Sequence, residues 1–426
     1  MQNEPFMTFK KIHQEFKKPL DYKIEKAVEA IASGFAVSIH NTAIAFSGGK
    51  DSTVLWHLIR THFPEKHPYI IFGNTGVEYP ESLKFARSLG KEWGGEYFKE
   101  TELSRTAEEG LKYQAQREVL AWLIKEGRVR EVLKADGKLK SPRALERKAT
   151  PEMWEDFRKR RLVWPEGTPM SYWWCCDQYG FPILGKAASK LEARRINIDC
   201  FLKFSESASQ DEELLSYYDV LRECKFSQHC CKLIKKEPSE KLQAELDVDV
   251  IFKGLMASES QTRKTNFATR GYLFKSHRPH LGGKSGDPFY HCNPLQIWTD
   301  EDIWEYIRRY TVPYSPLYDM GYTDSKGIEH KIARNGCMGC ATAILKRDNQ
   351  LTMLRKTHPP QWKALMNFGM AEELKKLYHA KNKGIPSIIN VFEDPAELLE
   401  ARPCAFDDIG DRIEQDGIDD EYDPED

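Results

Sequence analysis

Two sets of residues in this chain have types and spacings suited to chemistry. The first is the run Ser47-Gly48-Gly49-Lys50-Asp51-Ser52, in which a glycine pair precedes a lysine and an acid. Glycines let the backbone approach a ligand closely, and a helix that follows directs the positive end of its dipole at an anion. The run therefore predicts a loop that binds nucleotide phosphates, with Lys50 and Asp51 as candidate catalytic residues.

Cysteines form the second set. Six of the ten cysteines occur in close pairs, which are Cys175-Cys176, Cys230-Cys231 and Cys337-Met338-Gly339-Cys340. In a compartment that keeps thiols reduced, such pairs indicate metal ligands or redox groups rather than disulfides. Four thiolates from two pairs suit either zinc or an iron–sulfur cluster. Adjacent cysteines favour the cluster, because each thiolate can bind a different iron.

Other cysteines have open roles. Cys176 lies in Tyr172-Trp173-Trp174-Cys175-Cys176-Asp177, apolar on one side and polar on the other, which suits either a buried structural thiol or a sulfur carrier. Cys224, six residues before Cys230, is a candidate sulfur carrier or reserve ligand. We include both Cys176 and Cys224 among the candidate catalytic residues. Cys200 and Cys292 fall in strand-like runs, where we expect them to pack.

The elements around the glycine loop follow a simple alternation. An apolar strand over 42–46 precedes the loop, and an amphipathic helix begins at about residue 53. A second strand over 69–72 leads into a helix over 81–93, and another strand over 249–252 precedes Gly254. Strands alternating with helices of this length predict an α/β fold with a parallel sheet covered by helices on both faces.

The loop resembles the pyrophosphate-binding S-G-G-x-D-S loop of the adenine nucleotide α-hydrolase (PP-loop) superfamily. Farther on, residues 74–81 resemble the D-T-G-x-x-F-P-E segment of the phosphoadenosine phosphosulfate reductase family, with Asn74 in place of the usual acid. Residues 254–263 resemble its G-x-x-x-x-E-S-x-x-R segment. The resemblance covers residues 40–100 and 225–345. It implies a Rossmann-like (HUP-type) parallel sheet, with a helical insert and a helical C-terminal region that carries a cysteine-ligated cluster.

The resemblance also implies cofactors and site residues. It implies that ATP or a related adenine nucleotide binds with Mg²⁺ in a site formed by Ala45, Phe46, Ser47, Gly48, Gly49, Asp51, Ser52, Thr75, Gly76, Glu78, Gly254, Glu259, Ser260 and Arg263. The run over 230–238 resembles the C-C-x-x-x-K-x-x-P element that, with a later C-x-x-C, holds a [4Fe-4S] cluster in adenylylsulfate reductases. The implied cluster ligands are Cys230, Cys231, Cys337 and Cys340.

One family feature is missing. The family's reductases carry a C-terminal nucleophilic cysteine in an E-C-G-[LI]-H context, whereas here only Cys404 follows Cys340 and its neighbours do not match. We therefore expect an ATP-dependent, pyrophosphate-releasing sulfurtransferase of the DndC type or the RNA-thiolating type. Its partners would be a nucleic acid acceptor and a cysteine desulfurase as sulfur donor. Two alternatives stay open, a phosphoadenosine or adenosine phosphosulfate reductase that releases sulfite, and a non-catalytic nucleotide sensor with a structural cluster.

Charge and hydropathy complete the division of the chain. Residues 1–103 and 225–345 form the nucleotide-binding halves, 104–224 a basic, helix-rich insert, 346–392 a helical region, and 393–426 an acidic tail expected to be disordered. The tail holds fifteen acidic residues and two arginines, so the net charge of −2 conceals a basic body. Basic residues and tryptophans of the insert predict a nucleic acid surface.

No apolar run approaches the ~20 residues of a membrane helix, and the start lacks the pattern of a signal peptide, so we expect a cytoplasmic protein with no membrane partner.

Overall fold

The structure is a computed structural model and describes residues 6–105, 118–135, 140–160, 167–182, 227, 229–276, 288–324, 327–340 and 350–374. The predictions for Cys200, Cys224, Cys404 and the acidic tail lie outside these residues. The chain divides into two units. The first comprises Met1–Glu102, Lys235–Met320 and Lys331–Gly336, and the second comprises Leu103–Ile234, Gly321–His330 and Cys337–Asp426.

The labelled helices, in chain order, are α1 Phe9–Glu15, α2 Leu20–Val37, α3 Lys50–His62, α4 Pro80–Leu89, α5 Pro142–Glu146, α6 Pro151–Arg160, α7 Tyr172–Tyr179, α8 Glu237–Glu245, α9 Gln261–Arg270, α10 Asp300–Tyr310, α11 Gln350–Thr357 and α12 Pro359–Leu365. The strands are β1 Asn41–Phe46, β2 Tyr69–Phe72, β3 Phe98–Glu100, β4 Val248–Lys253, β5 Leu273–Ser276, β6 Phe289–Cys292, β7 Gly321–Thr323 and β8 Glu329–Lys331. None of the described helices combines the length and apolarity needed to cross a bilayer.

Six of the described strands form one sheet in the first unit, in the order β3-β2-β1-β4-β6-β5, and helices flank it. Neighbouring strands are parallel from β3 through β6, with Ala45 opposite both Ile71 and Lys253. β5 pairs antiparallel with β6 at the edge, where no helical crossover is needed. The predicted α/β fold is confirmed, and the antiparallel edge strand is an addition that strand periodicity does not specify.

The order of the strands creates a crevice. The chain runs outward from β1 through β2 to β3, and then returns so that β4 lies on the other side of β1. The connections after β1 and β4 therefore leave the sheet in opposite directions. In open α/β sheets, ligands bind at the carboxyl ends of the strands where this reversal occurs.

Burial of apolar side chains fixes the strand and helix that flank the glycine loop. Phe46 on β1 and Leu55 and Trp56 on α3 lie in one buried core, and the rings of Phe46 and Trp56 meet edge to face at 5.1 Å between centroids. Behind them, Lys23 on α2 is buried and contacts the carboxylate of Asp302 on α10 at 2.5 Å. A buried charge is tolerated when it is paired and hydrogen-bonded. The packing of β1 against α3 therefore fixes the two ends of the glycine loop.

The second unit has its own apolar core. Described side chains from 118–160 pack together, namely Val119, Leu120, Leu123, Val129, Val132, Leu145 and Phe157. The helix predicted across 351–380 is divided into α11 and α12 at His358, because the prolines at 359 and 360 cannot donate to the preceding turn. Trp174, one of the tryptophans suggested for base stacking, is only 1% exposed, so it packs inside the unit.

Candidate functional site

A cavity of about 620 Å³ lies where β1 and β4 end, in the first unit. Nine of the predicted nucleotide-site and catalytic residues line it, namely Ala45, Ser47, Gly49, Lys50, Asp51, Ser52, Gly254, Glu259 and Arg263. They come from two segments 200 residues apart, which the β1–β4 pairing brings side by side. The assignment of these residues to a ligand stays a prediction, but the structure does bring them together.

Hydrogen bonds within the glycine loop fix its shape. Gly48 has a φ of +67°, a left-handed conformation that favours glycine. The Ser52 hydroxyl donates to the Gly49 carbonyl at 2.9 Å, and Asn335 Nδ2 donates to the Ser47 carbonyl at 2.9 Å. α3 begins immediately afterwards at Lys50, and its N-cap residue, Gly49, has no side chain that could cap the first turn. The N-terminus of this helix therefore favours an anion in the cavity.

Lys50 is the buried cation of the cavity. Its side chain is 5% exposed, and its ammonium lies 2.9 Å from Asp51 Oδ1 and 2.6 Å from Asp300 Oδ1. Burial lowers the pKa of Lys50, but the two carboxylates outweigh it and leave the pKa above its ordinary value. Lys50 therefore stays charged and can contact a phosphate oxygen.

Close packing at Gly254 joins β4 to the loop. A Cβ built on Gly254 would lie 2.8 Å from the Asp51 carbonyl oxygen and 3.0 Å from the Ser52 nitrogen. Only glycine permits the chain after β4 to approach the first turn of α3 this closely. The resemblance pointed to Gly254 as a nucleotide contact, and its absent side chain also sets the distance between the two segments.

Two guanidinium groups lie on the cavity wall around one carboxylate. Glu259 pairs with Arg263, and its other oxygen lies 3.2 Å from Arg334. Burial lowers the pKa of Arg263, and the nearby Arg334 lowers it further. Arg263, Arg334 and Glu259 together carry one net positive charge. Arginine forks of this kind bind phosphate and sulfate through two parallel hydrogen bonds.

Six predicted nucleotide-site residues do not line the cavity: Phe46, Gly48, Thr75, Gly76, Glu78 and Ser260. Phe46 is a core residue, and the Ser260 hydroxyl accepts a hydrogen bond from the Arg263 backbone at the start of α9. The Thr75 hydroxyl donates to Glu78 at 2.8 Å. Burial raises the pKa of Glu78, although Lys235 and Thr75 offset part of that rise. A ligand role for these residues stays a prediction.

Several lining residues were not predicted from the sequence, namely Lys235, Lys253, Asp300, Tyr318, Arg334 and Asn335. Tyr318 accepts a hydrogen bond from the Lys50 backbone at 3.1 Å, so it holds the first turn of α3. It ends the run Pro313-Tyr314-Ser315-Pro316-Leu317-Tyr318, and its contact with the loop depends on the fold rather than on this run. Arg334 and Asn335 carry no such signal and reach the cavity only through the fold.

Lys253 ends β4 inside the cavity and contacts the neighbouring strand. Its Nζ lies 3.0 Å from His291 Nδ1. Burial lowers the pKa of Lys253, and burial with the nearby Lys253 and Arg270 charges lowers the pKa of His291 to about 4. A neutral His291 can accept a hydrogen bond from the lysine. His291 thus orients a cavity cation without itself lining the cavity.

The second unit brings several cysteines together. Cys175, Cys176 and Cys230 are buried, Cys337 and Cys340 are partly exposed, and Cys231 is exposed. The Cys340 backbone N–H donates to the Cys337 carbonyl at 3.0 Å, which closes the turn between them. Burial raises the pKa of Cys230, and the Cys176, Cys175, Cys337 and Cys340 thiols raise it further.

Thiolates are suitable donors for iron–sulfur clusters, so the chemistry of this set fits such a group. Within the described ranges, however, no group of three or more His, Cys, Asp or Glu residues is already arranged to hold a metal ion. The predicted ligand set therefore stays a prediction, as does Mg²⁺. The predicted catalytic residue Cys176 belongs to this second unit, while Lys50 and Asp51 belong to the first.

Comparisons with known proteins agree with this arrangement. Residues 41–150 and 166–343 match the family model described as the phosphoadenosine phosphosulfate reductase domain. A phosphoadenosine 5′-phosphosulfate reductase of Xylella fastidiosa (strain M23) is 35% identical over 91 residues, which is 21% of this chain and 32% of that protein. An adenosine 5′-phosphosulfate reductase of Bacillus cytotoxicus is 34% identical over 94 residues, 22% of this chain and 34% of that protein. The chain thus spans about a third of the length of the curated relatives it matches.

Among solved structures, a phosphoadenylyl-sulfate reductase from Candida auris in complex with phosphate covers 74% of this chain and 96% of its own, at 13% identity and a TM-score of 0.33. The family model matches well over half of the residues and includes both segments that line the cavity. The loop after β1, the Glu259–Arg263 segment after β4 and the sheet that joins them are therefore those of the phosphoadenosine phosphosulfate reductase family of enzymes, to which this chain belongs.

Proposed function

We propose that the first unit binds an adenine sulfonucleotide, either adenosine 5′-phosphosulfate or its 3′-phosphorylated form, and that the protein reduces it to sulfite. The observation that carries the proposal is the presence of two separate anion-binding features in one cavity. One is the loop with Lys50 at the start of α3, and the other is the pair Arg263 and Arg334. Such a nucleotide carries two or more anionic groups, so it can engage both.

The names of the relatives support this choice of ligand. Curated proteins similar over about a fifth of the chain are reductases of phosphoadenosine and adenosine phosphosulfate. That similarity covers only about a third of each relative, so the activity is an inference for this chain.

The reaction is a two-electron reduction that needs a dithiol of the thioredoxin class. A thiolate attacks the sulfur, the S–O bond to the nucleotide phosphate breaks, and AMP or its 3′-phosphorylated form leaves. A second thiol then attacks the sulfur atom of the first thiol, which now carries the sulfonate group. This attack releases sulfite and leaves a disulfide. The amides of the loop and Lys50 stabilise the charge that develops on the leaving phosphate.

A second candidate is the ATP-dependent sulfurtransferase acting on nucleic acid. It is favoured by one observation, that no described residue lining the cavity is a cysteine. In this reaction ATP with Mg²⁺ adenylates an oxygen of DNA or RNA, and pyrophosphate leaves toward the loop. The outer sulfur of a cysteine persulfide, supplied by a cysteine desulfurase, then displaces AMP. A second thiol attacks the cysteine sulfur of the resulting S–S bond, which releases the thiolated acceptor and leaves a disulfide. For the reductase, the same observation means that the attacking thiol must enter the cavity from elsewhere.

We further infer that the cysteines of the second unit hold a [4Fe-4S] cluster. Their burial and their mutual electrostatic influence support the inference, as does the soft donor chemistry of thiolates. Such a cluster supplies redox and electrostatic chemistry when bound. The chain's own part is to present the predicted ligands Cys230 and Cys231, which precede α8, and Cys337 and Cys340, which bound the turn at 337–340.

Product analysis tests the proposal and separates the two candidates. Anaerobically purified protein is incubated with each sulfonucleotide and a reduced dithiol protein, or with ATP, Mg²⁺ and nucleic acid. We expect sulfite and one equivalent of AMP or its 3′-phosphorylated form. The variant Lys50→Ala should lose turnover, whereas Arg87→Ala, an exposed residue paired with Glu100, should retain it. Pyrophosphate and AMP from ATP, without sulfite from either sulfonucleotide, would overturn the proposal in favour of the sulfurtransferase.

A further inference from the structure

Strand β4 ends in the cavity with a lysine that leaves the sheet on the face opposite helix α3. Side chains alternate along a strand, and Phe252 packs in the core that contains α3, whereas Ile251 packs on the other face with residues of β1, β2 and α8. Lys253 therefore shares the face of Ile251, and it lines the cavity because it is the last residue of the strand. Helix α3 and Lys253 thus reach one cavity from opposite faces of the sheet.

A histidine of the next strand holds the ammonium of Lys253. The Nζ atom lies 3.0 Å from Nδ1 of His291 on β6, which pairs with β4. A neutral imidazole accepts a hydrogen bond but supplies no negative charge. No carboxylate in the described part of the chain forms an ion pair with Lys253. Lys50 differs, because Asp51 and Asp300 both contact its ammonium.

The charges around Lys253 favour an anion beside it. Burial lowers the pKa of Lys253, Glu240 on α8 offsets part of this change, and Lys236 lowers the pKa further. A cation that burial separates from water costs free energy unless a counter-ion pairs with it. Lys235 also lines the cavity, but it lies near an acid, since burial raises the pKa of Glu78 and the Lys235 charge offsets part of the rise.

Lys253 therefore adds a third anion-binding feature to the cavity. Lys50 with the loop forms one, and Arg263 with Arg334 forms another. Adenosine 5′-phosphosulfate carries a phosphate and a sulfate, which these two features can bind. Only the 3′-phosphorylated nucleotide has a further anionic group, and the ribose separates that group from the 5′-phosphate. The number of cationic positions thus matches the nucleotide with three anionic groups.

We propose that Lys253 binds the 3′-phosphate of the nucleotide, so that the cavity selects adenosine 3′-phosphate 5′-phosphosulfate over adenosine 5′-phosphosulfate. The inference rests on the proposed function, because it names which of the two sulfonucleotides the same site prefers. His291 is a positioning residue, which fixes the ammonium at the end of β4 and leaves its charge for the ligand. Lys50 and the loop then bind the 5′-phosphate, and the two arginines bind the sulfate.

Calorimetric titration with two nucleotides that differ only in the 3′-phosphate tests the assignment. AMP and adenosine 3′,5′-bisphosphate are titrated into the wild type and into Lys253→Met. We expect the bisphosphate to bind the wild type at least ~10-fold more tightly than AMP, and this ratio should fall below about threefold in Lys253→Met. A ratio that Lys253→Met leaves unchanged would overturn the proposal.

Lys236→Met is the matched control. Lys236 is exposed and acts on Lys253 through its charge, but it does not line the cavity. This variant should keep the wild-type ratio of the two dissociation constants. A fall in the ratio as large as that in Lys253→Met would show that net charge near the cavity, rather than contact with Lys253, favours the 3′-phosphate, and this result would also overturn the proposal.

A second measurement uses the wild type and does not depend on a variant that folds. The protein is treated with acetic anhydride in the presence of saturating AMP or adenosine 3′,5′-bisphosphate, and the acetylated lysines are mapped by mass spectrometry. The bisphosphate should protect Lys253 more strongly than AMP does, whereas both should protect Lys50. Equal protection of Lys253 by the two nucleotides would contradict the assignment.

Failure of the proposed function gives a different result. Wild-type protein that releases no sulfite from either sulfonucleotide rejects the proposed reduction, whatever the ratio of the two dissociation constants. Sulfite released from both sulfonucleotides with equal kcat/KM, by the wild type and by Lys253→Met alike, rejects only the role of Lys253. Wild-type protein that binds neither AMP nor the bisphosphate rejects both.

Discussion

The ammonium of Lys50 lies 2.6 Å from the carboxylate of Asp300, which follows it by 250 residues in the chain. Lys50 begins α3 and Asp300 begins α10, so the pair joins the starts of two helices at the rim of one cavity. The Lys50 side chain is 5% exposed and that of Asp300 is 59% exposed. The cation is thus held in position by an acid that solvent can reach, and a bound phosphate can replace the acid as its partner.

Replacing Lys50 with alanine should weaken nucleotide binding. A charged hydrogen bond contributes about 1.5–3 kcal/mol, so we expect the Kd for a sulfonucleotide to rise roughly 10- to 100-fold. Isothermal titration calorimetry measures this change directly. Asp300→Asn provides the opposite variant, because it removes a negative charge from an anion site. Its Kd should fall by about threefold, and a rise in Kd for Asp300→Asn would show that the carboxylate itself contacts the ligand.

Arg334→Ala should weaken binding without unfolding the chain, because the side chain is 64% exposed and Glu259 keeps its contact with Arg263. We expect about a tenfold higher Kd for the sulfonucleotide and a smaller change for AMP, which lacks the sulfate. Arg334→Lys keeps the charge but loses the planar fork, so its Kd for the sulfonucleotide should lie between those of the wild type and Arg334→Ala. Equal losses for AMP and the sulfonucleotide would place Arg334 away from the terminal anion.

Gly254→Ala tests the close approach of the two lining segments. The added methyl group would meet the Asp51 backbone at 2.8 Å, and overpacking of this kind costs about 1–3 kcal/mol. We expect a lower free energy of unfolding in urea and weaker nucleotide binding together. Gly73→Ala is the matched control, since nothing lies within 4 Å of the Cβ it would add. The prediction fails if both variants unfold at the same urea concentration.

The low pKa of His291 predicts an acid-sensitive fold. Burial holds this pKa at about 4 in the folded chain against 6.5 ordinarily, so the folded state binds the proton less readily than the unfolded state. The stability that the neutral ring contributes is complete above about pH 6.5 and is lost as the pH falls toward 4.

Urea unfolding at several pH values between about 7 and 5 should therefore show a steeper loss for the wild type than for His291→Gln. Glutamine can still accept from Lys253 and does not titrate. Parallel curves for the two proteins would mean that His291 makes no difference to the acid response.

Most of the first unit could be predicted from the sequence, because its strands and helices agree with local patterns. The apolar run at 42–46, the glycine loop and the following amphipathic helix appear as β1, the loop and α3. β5 could not be predicted as an antiparallel edge strand, since its direction depends on its pairing with β6 rather than on its own residues. The break at His358 could have been predicted from the two prolines that follow it.

The cavity-lining residues that lie in sequence motifs could be predicted, and the others could not. Ser47–Ser52 and Glu259–Arg263 lie in motifs, and residues from both line the cavity. Asp300, Arg334 and Asn335 reach the same cavity from positions that are distant in the chain and carry no pattern of their own. Thr75 and Glu78, which a motif did suggest, hydrogen-bond to each other instead of lining it. Spacing indicates which residues share a segment, whereas only tertiary packing decides which segments meet.

The most direct test of the central claim is calorimetric titration of the anaerobically purified chain with adenosine 3′-phosphate 5′-phosphosulfate, adenosine 5′-phosphosulfate and ATP. We predict one site per chain with micromolar or tighter affinity for a sulfonucleotide, weaker binding of ATP, and loss of the site in the double variant Lys50→Ala, Arg334→Ala. Tight binding of ATP with no detectable binding of either sulfonucleotide would contradict the account, and so would sulfonucleotide binding that the double variant leaves unchanged.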